Sequence, residues 1–124
     1  MNIEKIVNKS NVKLTTARRA ILEIFANTRR PLSYEDIKDE LSMDKATFYR
    51  NITIFEEEGI ISSFESNDKK RYFEIQKNAH SHFICTICSK IECIHENPTF
   101  NLVGYKIDNI VIKGICPNCL QKGN

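Results

Sequence analysis

Three features of the 124-residue sequence predict an α+β chain in two parts, residues 1–76 and 77–124. Apolar residues recur at spacings of three and four between Lys13 and Glu58, the helical period. After Gly59 the pattern changes to β-rich runs, Ile60–Glu65 and Arg71–Ile75, joined by the polar stretch Ser66-Asn67-Asp68-Lys69-Lys70. The second part carries two Cys-x-x-Cys pairs, Cys85/Cys88 and Cys116/Cys119, among further short apolar runs.

The first helix is expected from Lys13 to Thr28, where Leu14, Ala17, Ile21, Ile24 and Phe25 share one side. Thr15 is positioned to cap its start, and Arg18 and Arg19 lie early on its outer surface. Arg29-Arg30-Pro31 breaks the pattern. Ser33, followed by Glu35 and Asp36, opens a short helix from Tyr34 to about Leu41, with Ile37 and Leu41 inward. Ser42-Met43-Asp44 caps a third helix that runs to Glu58 and stops at Gly59. Phe48, Ile52 and Phe55 form its buried stripe, while Lys45, Ala46, Tyr49, Arg50 and Thr53 occupy another face.

Three helices closed by a basic-tipped hairpin is the plan of a winged helix-turn-helix, whose last helix lies in a DNA major groove. The N-terminal turns of that helix enter first, which makes Lys45, Ala46, Thr47, Tyr49 and Arg50 candidate DNA contacts. Arg18 and Arg19, and Lys69 and Lys70 at the hairpin tip, join them by position. Taken alone, Lys69, Lys70 and Arg71 read as solvated charge. Bulk charge adds nothing, because residues 1–76 hold 13 Lys/Arg against 13 Asp/Glu.

The two cysteine pairs place four thiolates on two tight turns, the ligand set of a closed, structural zinc site. Two redox-active pairs or four unrelated thiols are the competing readings, and zinc is preferred because two such pairs in one short chain are uncommon. Four thiolates and one zinc ion would bring the formal charge of +2 to about zero. Strand-like runs follow at Phe83–Ile87, Ile91–Ile94 and Ile107–Ile112, with Pro98 and Gly104 as breakers and no helix expected after residue 76. So short a segment buries little core by itself. Zinc supplies the difference, since binding energies of about 10–16 kcal/mol become folding energy when the unfolded chain has no preformed site. A second copy of the chain would bury more. No stretch approaches the roughly 18–20 apolar residues of a membrane span, and reduced paired cysteines point to a cytoplasmic protein.

Across these motifs the chain resembles the ferric uptake regulator (Fur) family of bacterial metal-responsive repressors. The resemblance is carried by Leu14-Thr15 with Arg18-Arg19, Pro31-Leu32-Ser33, Ala46-Thr47-Phe48-Tyr49-Arg50 and Glu56-Glu57-Glu58-Gly59-Ile60-Ile61. It continues through Tyr72-Phe73-Glu74, His80-Ser81-His82-Phe83-Ile84-Cys85-x-x-Cys88, Gly104-Tyr105 and Gly114-Ile115-Cys116-Pro117-x-Cys119. It implies a cytoplasmic homodimer on a pseudo-palindromic double-stranded DNA operator, with residues 77–124 as a shortened zinc-binding dimerisation domain. It implies structural zinc on Cys85, Cys88, Cys116 and Cys119. A regulatory divalent metal (Fe2+, Zn2+ or Mn2+) between the two domains is implied as well, with Glu74, His80 and His82 as ligands by motif position and Glu92 as a fourth. Read from spacing alone, His80-x-His82 could share one face of a strand toward an ion, or be two surface or hydrogen-bonded histidines.

Three departures from the family pattern stand out. Arg30-Pro31 occupies the place of a frequent histidine ligand. Ala79 and Ser81, flanking His80, lack the His and Asp that build a further site in some members. The segment between Cys93 and Gly104 is too short for the helix usual in the dimerisation domain. This reduced set weakens a peroxide-sensing reading. Cys93, the odd thiol, reads as a small strand residue or a spectator ahead of a regulatory or metal-binding role, and His95-Glu96 as a candidate source of compensating ligands. The expected function is a metal-dependent transcriptional regulator, a repressor of metal-homeostasis genes. The alternatives are a constitutive winged-helix DNA binder with structural zinc only, and a zinc-ribbon adaptor for protein partners. An enzyme is not expected, since four thiolates leave zinc no position for water.

Overall fold

A computed structural model describes residues 2–76, 81–94, 100–107 and 109–122. The chain forms two compact units, Met1–Ser63 with Arg71–Gln76, and Phe64–Lys70 with Lys77–Asn124. The hairpin tip thus belongs to the second unit, while most of the hairpin's stem belongs to the first.

The first unit opens with a helix the sequence did not announce, α1 (Ile3–Asn8), capped by the Asn2 side chain and burying Ile3 and Val7. The α2 helix (Thr16–Ala26) is shorter at both ends than the expected Lys13–Thr28 but starts on the expected cap, with the Thr15 hydroxyl accepting from the Arg18 N–H at 3.2 Å. A two-residue strand β1 (Leu32–Ser33) leads into α3 (Tyr34–Ile37). Ser33 and Asp36 form a reciprocal capping box there, which satisfies two backbone donors that the helix start leaves open. A 3-10 turn, Lys38–Glu40, follows.

The α4 helix (Lys45–Glu57) starts on Asp44, whose carboxylate accepts from the Thr47 N–H at 2.9 Å. It ends in a Schellman turn: Ile60 N–H bonds the Phe55 carbonyl at 2.8 Å, and Gly59 N–H bonds that of Glu56 at 3.1 Å. Gly59 holds φ +72°, the left-handed region where any side chain is strained. Strands β2 (Ile61–Glu65) and β3 (Arg71–Ile75) complete a sheet of order β1-β3-β2, with Leu32 opposite Phe73. Ile21, Leu22, Phe48, Ile52, Phe55 and Phe73 are fully buried in the core. Phe73 lies edge-on to Phe25, Phe48 and Tyr49 at 5.9–6.4 Å.

The second unit is a three-stranded sheet of order β5-β4-β6, formed by β4 (Ser81–Cys85), β5 (Ile91–Ile94) and β6 (Ile110–Gly114). β4 runs antiparallel to β5 and parallel to β6. Two expected strands are displaced. The run Phe83–Ile87 ends at Cys85, because residues 86–88 must turn to present the second sulfur. The run Ile107–Ile112 is shifted to Ile110–Gly114 by pairing with β4. The expectation of no helix after residue 76 is also corrected. α5 (Pro117–Lys122) begins with proline at its first position, where the missing N–H has no helical partner to lose. His80, Ala79, His95 and Glu96 lie outside the described residues. Among the described residues, no helix is long and apolar enough to cross a membrane.

Candidate metal centres and nucleic-acid interface

Two turns bring the four paired cysteines together. Cys85 ends β4, and the chain reverses through Ser89, which takes φ +63° and donates its N–H to the Cys85 carbonyl at 3.0 Å. The Cys85 N–H closes the loop on the Lys90 carbonyl, also at 3.0 Å. From the other side β6 delivers Cys116 just before α5, and one helical turn later comes Cys119. All four Sγ atoms lie within 4.8 Å of one another, and Cys88 Sγ is 3.8 Å from Cys116 Sγ. Zinc–sulfur bonds of about 2.3 Å in tetrahedral array require sulfurs about 3.8 Å apart, so the donor set fits zinc.

The electrostatics of the cluster agree. Backbone N–H groups of Cys88, Cys116 and Ile87 converge on the Cys85 sulfur at 3.4 Å and pull its thiol down to about 6. Cys119 is pushed up to about 12 by its hydrogen bond to the Cys116 sulfur and by burial. Several sulfurs in one small volume resist carrying charge together, and a divalent cation removes that resistance. The hairpin tip docks on the same turn, with the Asn67 side-chain amide donating to the Cys85 carbonyl at 2.7 Å.

A second donor pair stands on the same sheet. His82, the second residue of β4, is 2% exposed, and its ring stacks on Phe64 with centroids 4.5 Å apart. In the antiparallel register Cys93 is directly opposite His82, with their ligating atoms within 4.8 Å. Glu92 is opposite Phe83, hence on the other face of the sheet, and its carboxylate pairs with Lys90 Nζ at 2.7 Å. The register therefore gives His82 a thiol for a neighbour where a carboxylate was expected. The sequence marks Cys93 only as an odd thiol; its place opposite His82 follows from strand register, which long-range pairing decides. Glu74 lies half-buried on β3 of the first unit.

The candidate DNA contacts divide by what they touch. Lys45, Ala46 and Arg50 are exposed on the first turns of α4, with Arg50 donating to the Thr47 hydroxyl at 3.1 Å. Tyr49 is half-buried, its ring packed against Phe48 and Tyr34, and the Lys45 ammonium sits 5.5 Å above the Tyr34 ring. Lys69 and Lys70 are exposed at the hairpin tip. Arg18 and Arg19 make internal bonds. Arg18 Nε donates to Asn51 Oδ1 at 2.9 Å and Nη1 to the Lys13 carbonyl at 2.8 Å. Arg19 pairs with Glu4 at 2.5 Å, an ion pair that holds the exposed Glu4 carboxyl below its ordinary range.

A sequence profile of the Ferric uptake regulator family matches residues 9–106. The Ferric uptake regulation protein of Bordetella parapertussis is 33% identical, over 99% of this chain and 99% of its own length. The Peroxide operon regulator of Bacillus subtilis is 29% identical, over 95% of this chain and 91% of its own. Among solved structures, the ferric uptake regulator from Pseudomonas aeruginosa with manganese superposes at a TM-score of 0.77 and 20% identity, covering 94% of this chain and 99% of that one.

Proposed function

The chain belongs to the Ferric uptake regulator family, and on that premise we propose that it is a metal-dependent DNA-binding transcriptional repressor acting on metal-homeostasis genes. The observation that carries this reading is the division of α4 into two faces. Phe48, Ile52 and Phe55 are wholly buried, while Lys45, Ala46 and Arg50 stand exposed on its first turns. A helix anchored by one side and basic at the start of the other is what a major groove accepts. Lys69 and Lys70 add sequence-independent attraction to phosphates.

The four-cysteine cluster holds a structural zinc that stands in for a hydrophobic core. The second unit presents Ile87, Val103, Tyr105 and Leu120 with more than half their surface exposed, which supports a homodimer. Two recognition helices then meet two half-sites of a pseudo-palindrome about one helical turn apart. A second, exchangeable metal takes His82 among its ligands, with His80 and Glu74 as further donors by family pattern. It acts only through higher affinity for the form that binds DNA.

The test is a metal titration of DNA binding on operator fragments selected from random sequence. Elemental analysis should find one tightly held zinc per chain, and affinity for the selected fragment should rise at least tenfold on adding one further equivalent of metal. Arg50→Ala should abolish selection without loss of zinc. Binding that is unchanged by any added metal would favour a constitutive DNA binder with zinc alone.

A further inference from the structure

We infer that the Cys93 thiolate is, together with His82, a ligand of the second metal, which makes that site selective for thiophilic ions such as Zn2+ and Co2+ over Mn2+. The inference rests on the reading above that a second metal binds, and it identifies the donor that sets which metal.

Geometry carries it. Directly opposed residues of antiparallel strands project to the same face, so His82 and Cys93 are held side by side by the backbone ladder. Their donor atoms lie within 4.8 Å. An ion bound by sulfur at about 2.3 Å and by imidazole nitrogen at about 2.0–2.1 Å, with tetrahedral angles, needs them about 3.6 Å apart. The observed separation, within 4.8 Å, brackets that distance. Glu92 is excluded from the same ion by the strand's alternation and is engaged by Lys90 on the opposite face. The stack of Phe64 on the His82 ring fixes the imidazole plane, and pre-orientation lowers the cost of ligation.

Chemistry then sets selectivity. Manganese favours oxygen-rich sites, whereas a thiolate beside an imidazole suits zinc and cobalt. Binding would displace the Cys93 proton to solvent, because only the thiolate is a ligand.

The test uses the full chain with its structural zinc in place. Co2+ is added to the zinc-loaded protein, and zinc release is monitored so that only cobalt bound in addition to zinc is counted. The parent should show a near-ultraviolet sulfur-to-cobalt charge-transfer band on the first added equivalent. Cys93→Ser should lose that band and bind Co2+ at least tenfold more weakly, with zinc content unchanged. Cys93→Asp, an oxygen donor of similar size, should lower the preference for Zn2+ over Mn2+ at least tenfold. If Cys93→Ser binds added cobalt with the parent's affinity and spectrum, the thiolate role is overturned while the metal-responsive reading stands. If neither protein takes up any additional ion, both are overturned.

Discussion

Replacing Arg18 by alanine should damage the winged-helix unit rather than its grip on phosphate. The guanidinium spans two elements of the fold, donating to Asn51 Oδ1 on α4 and to the Lys13 carbonyl ahead of α2. Asn51 is 8% exposed and uses its own amide to bond the Thr47 carbonyl at 3.0 Å, so its oxygen has little access to water if Arg18 is removed. Hydrogen bonds to charged groups are worth about 1.5–3 kcal/mol when sheltered, and the half-exposed guanidinium lowers this to about 1–2 kcal/mol for the substitution. For a unit of this size the midpoint should fall by about 5–10 °C. Urea unfolding of the zinc-loaded chain, followed by circular dichroism, measures the loss. A double-mutant cycle with Asn51→Ala should return a coupling of about 0.5–1.5 kcal/mol. The logarithmic salt slope of DNA binding should be unchanged. Parent-like stability, with that slope reduced by about one, would refute the argument and make Arg18 a phosphate contact.

Other substitutions test the remaining parts. Phe73→Ala should cost about 3–5 kcal/mol in the same unfolding assay, since Phe73 has no exposed surface and three aromatic rings lose their common neighbour. Ser89→Gly should raise stability by up to about 1 kcal/mol, measured by unfolding at fixed zinc, because serine holds a left-handed backbone there that glycine adopts without strain. The Thr47 hydroxyl and N–H hold the Asp44 carboxyl below its ordinary range. A depressed folded pKa contributes stability that is present above the unfolded value of about 3.9 and lost as pH falls through the folded value. The stability difference between parent and Asp44→Asn should therefore be constant above about pH 5 and move against the parent below about pH 4. A difference independent of pH down to acid unfolding would show that the cap carries no titrating charge.

What could be read in advance was local. Thr15, Ser33 and Asp44 cap their helices because a short polar side chain and the next turn's N–H groups are all a cap requires. Gly59 and the Phe48, Ile52, Phe55 stripe were legible for the same reason. Six-residue helices were not: Ile3–Asn8 and Pro117–Lys122 are too brief for a period to emerge. Neither was anything that depends on register or tertiary contact. Glu92 and Cys93 are neighbours in sequence, yet only the pairing of β4 with β5 determines which one faces His82. Arg18 carries the same charge as Arg50, but only the packed helices reveal that it reaches Asn51.

The allocation of Phe64–Lys70 to the second unit means the backbone passes between the units at three points, after Ser63, Lys70 and Gln76. Three chain crossings therefore join the two parts, and the segment after Gln76 is not their sole tether. A fragment ending there would strip Phe64 of its stacking partner His82 and Asn67 of the Cys85 carbonyl, leaving a frayed loop tip on an otherwise intact helical body. Protease cleavage at that boundary would yield a piece with native helices and a ragged wing, so DNA affinity measured on such a piece would understate that of the whole chain.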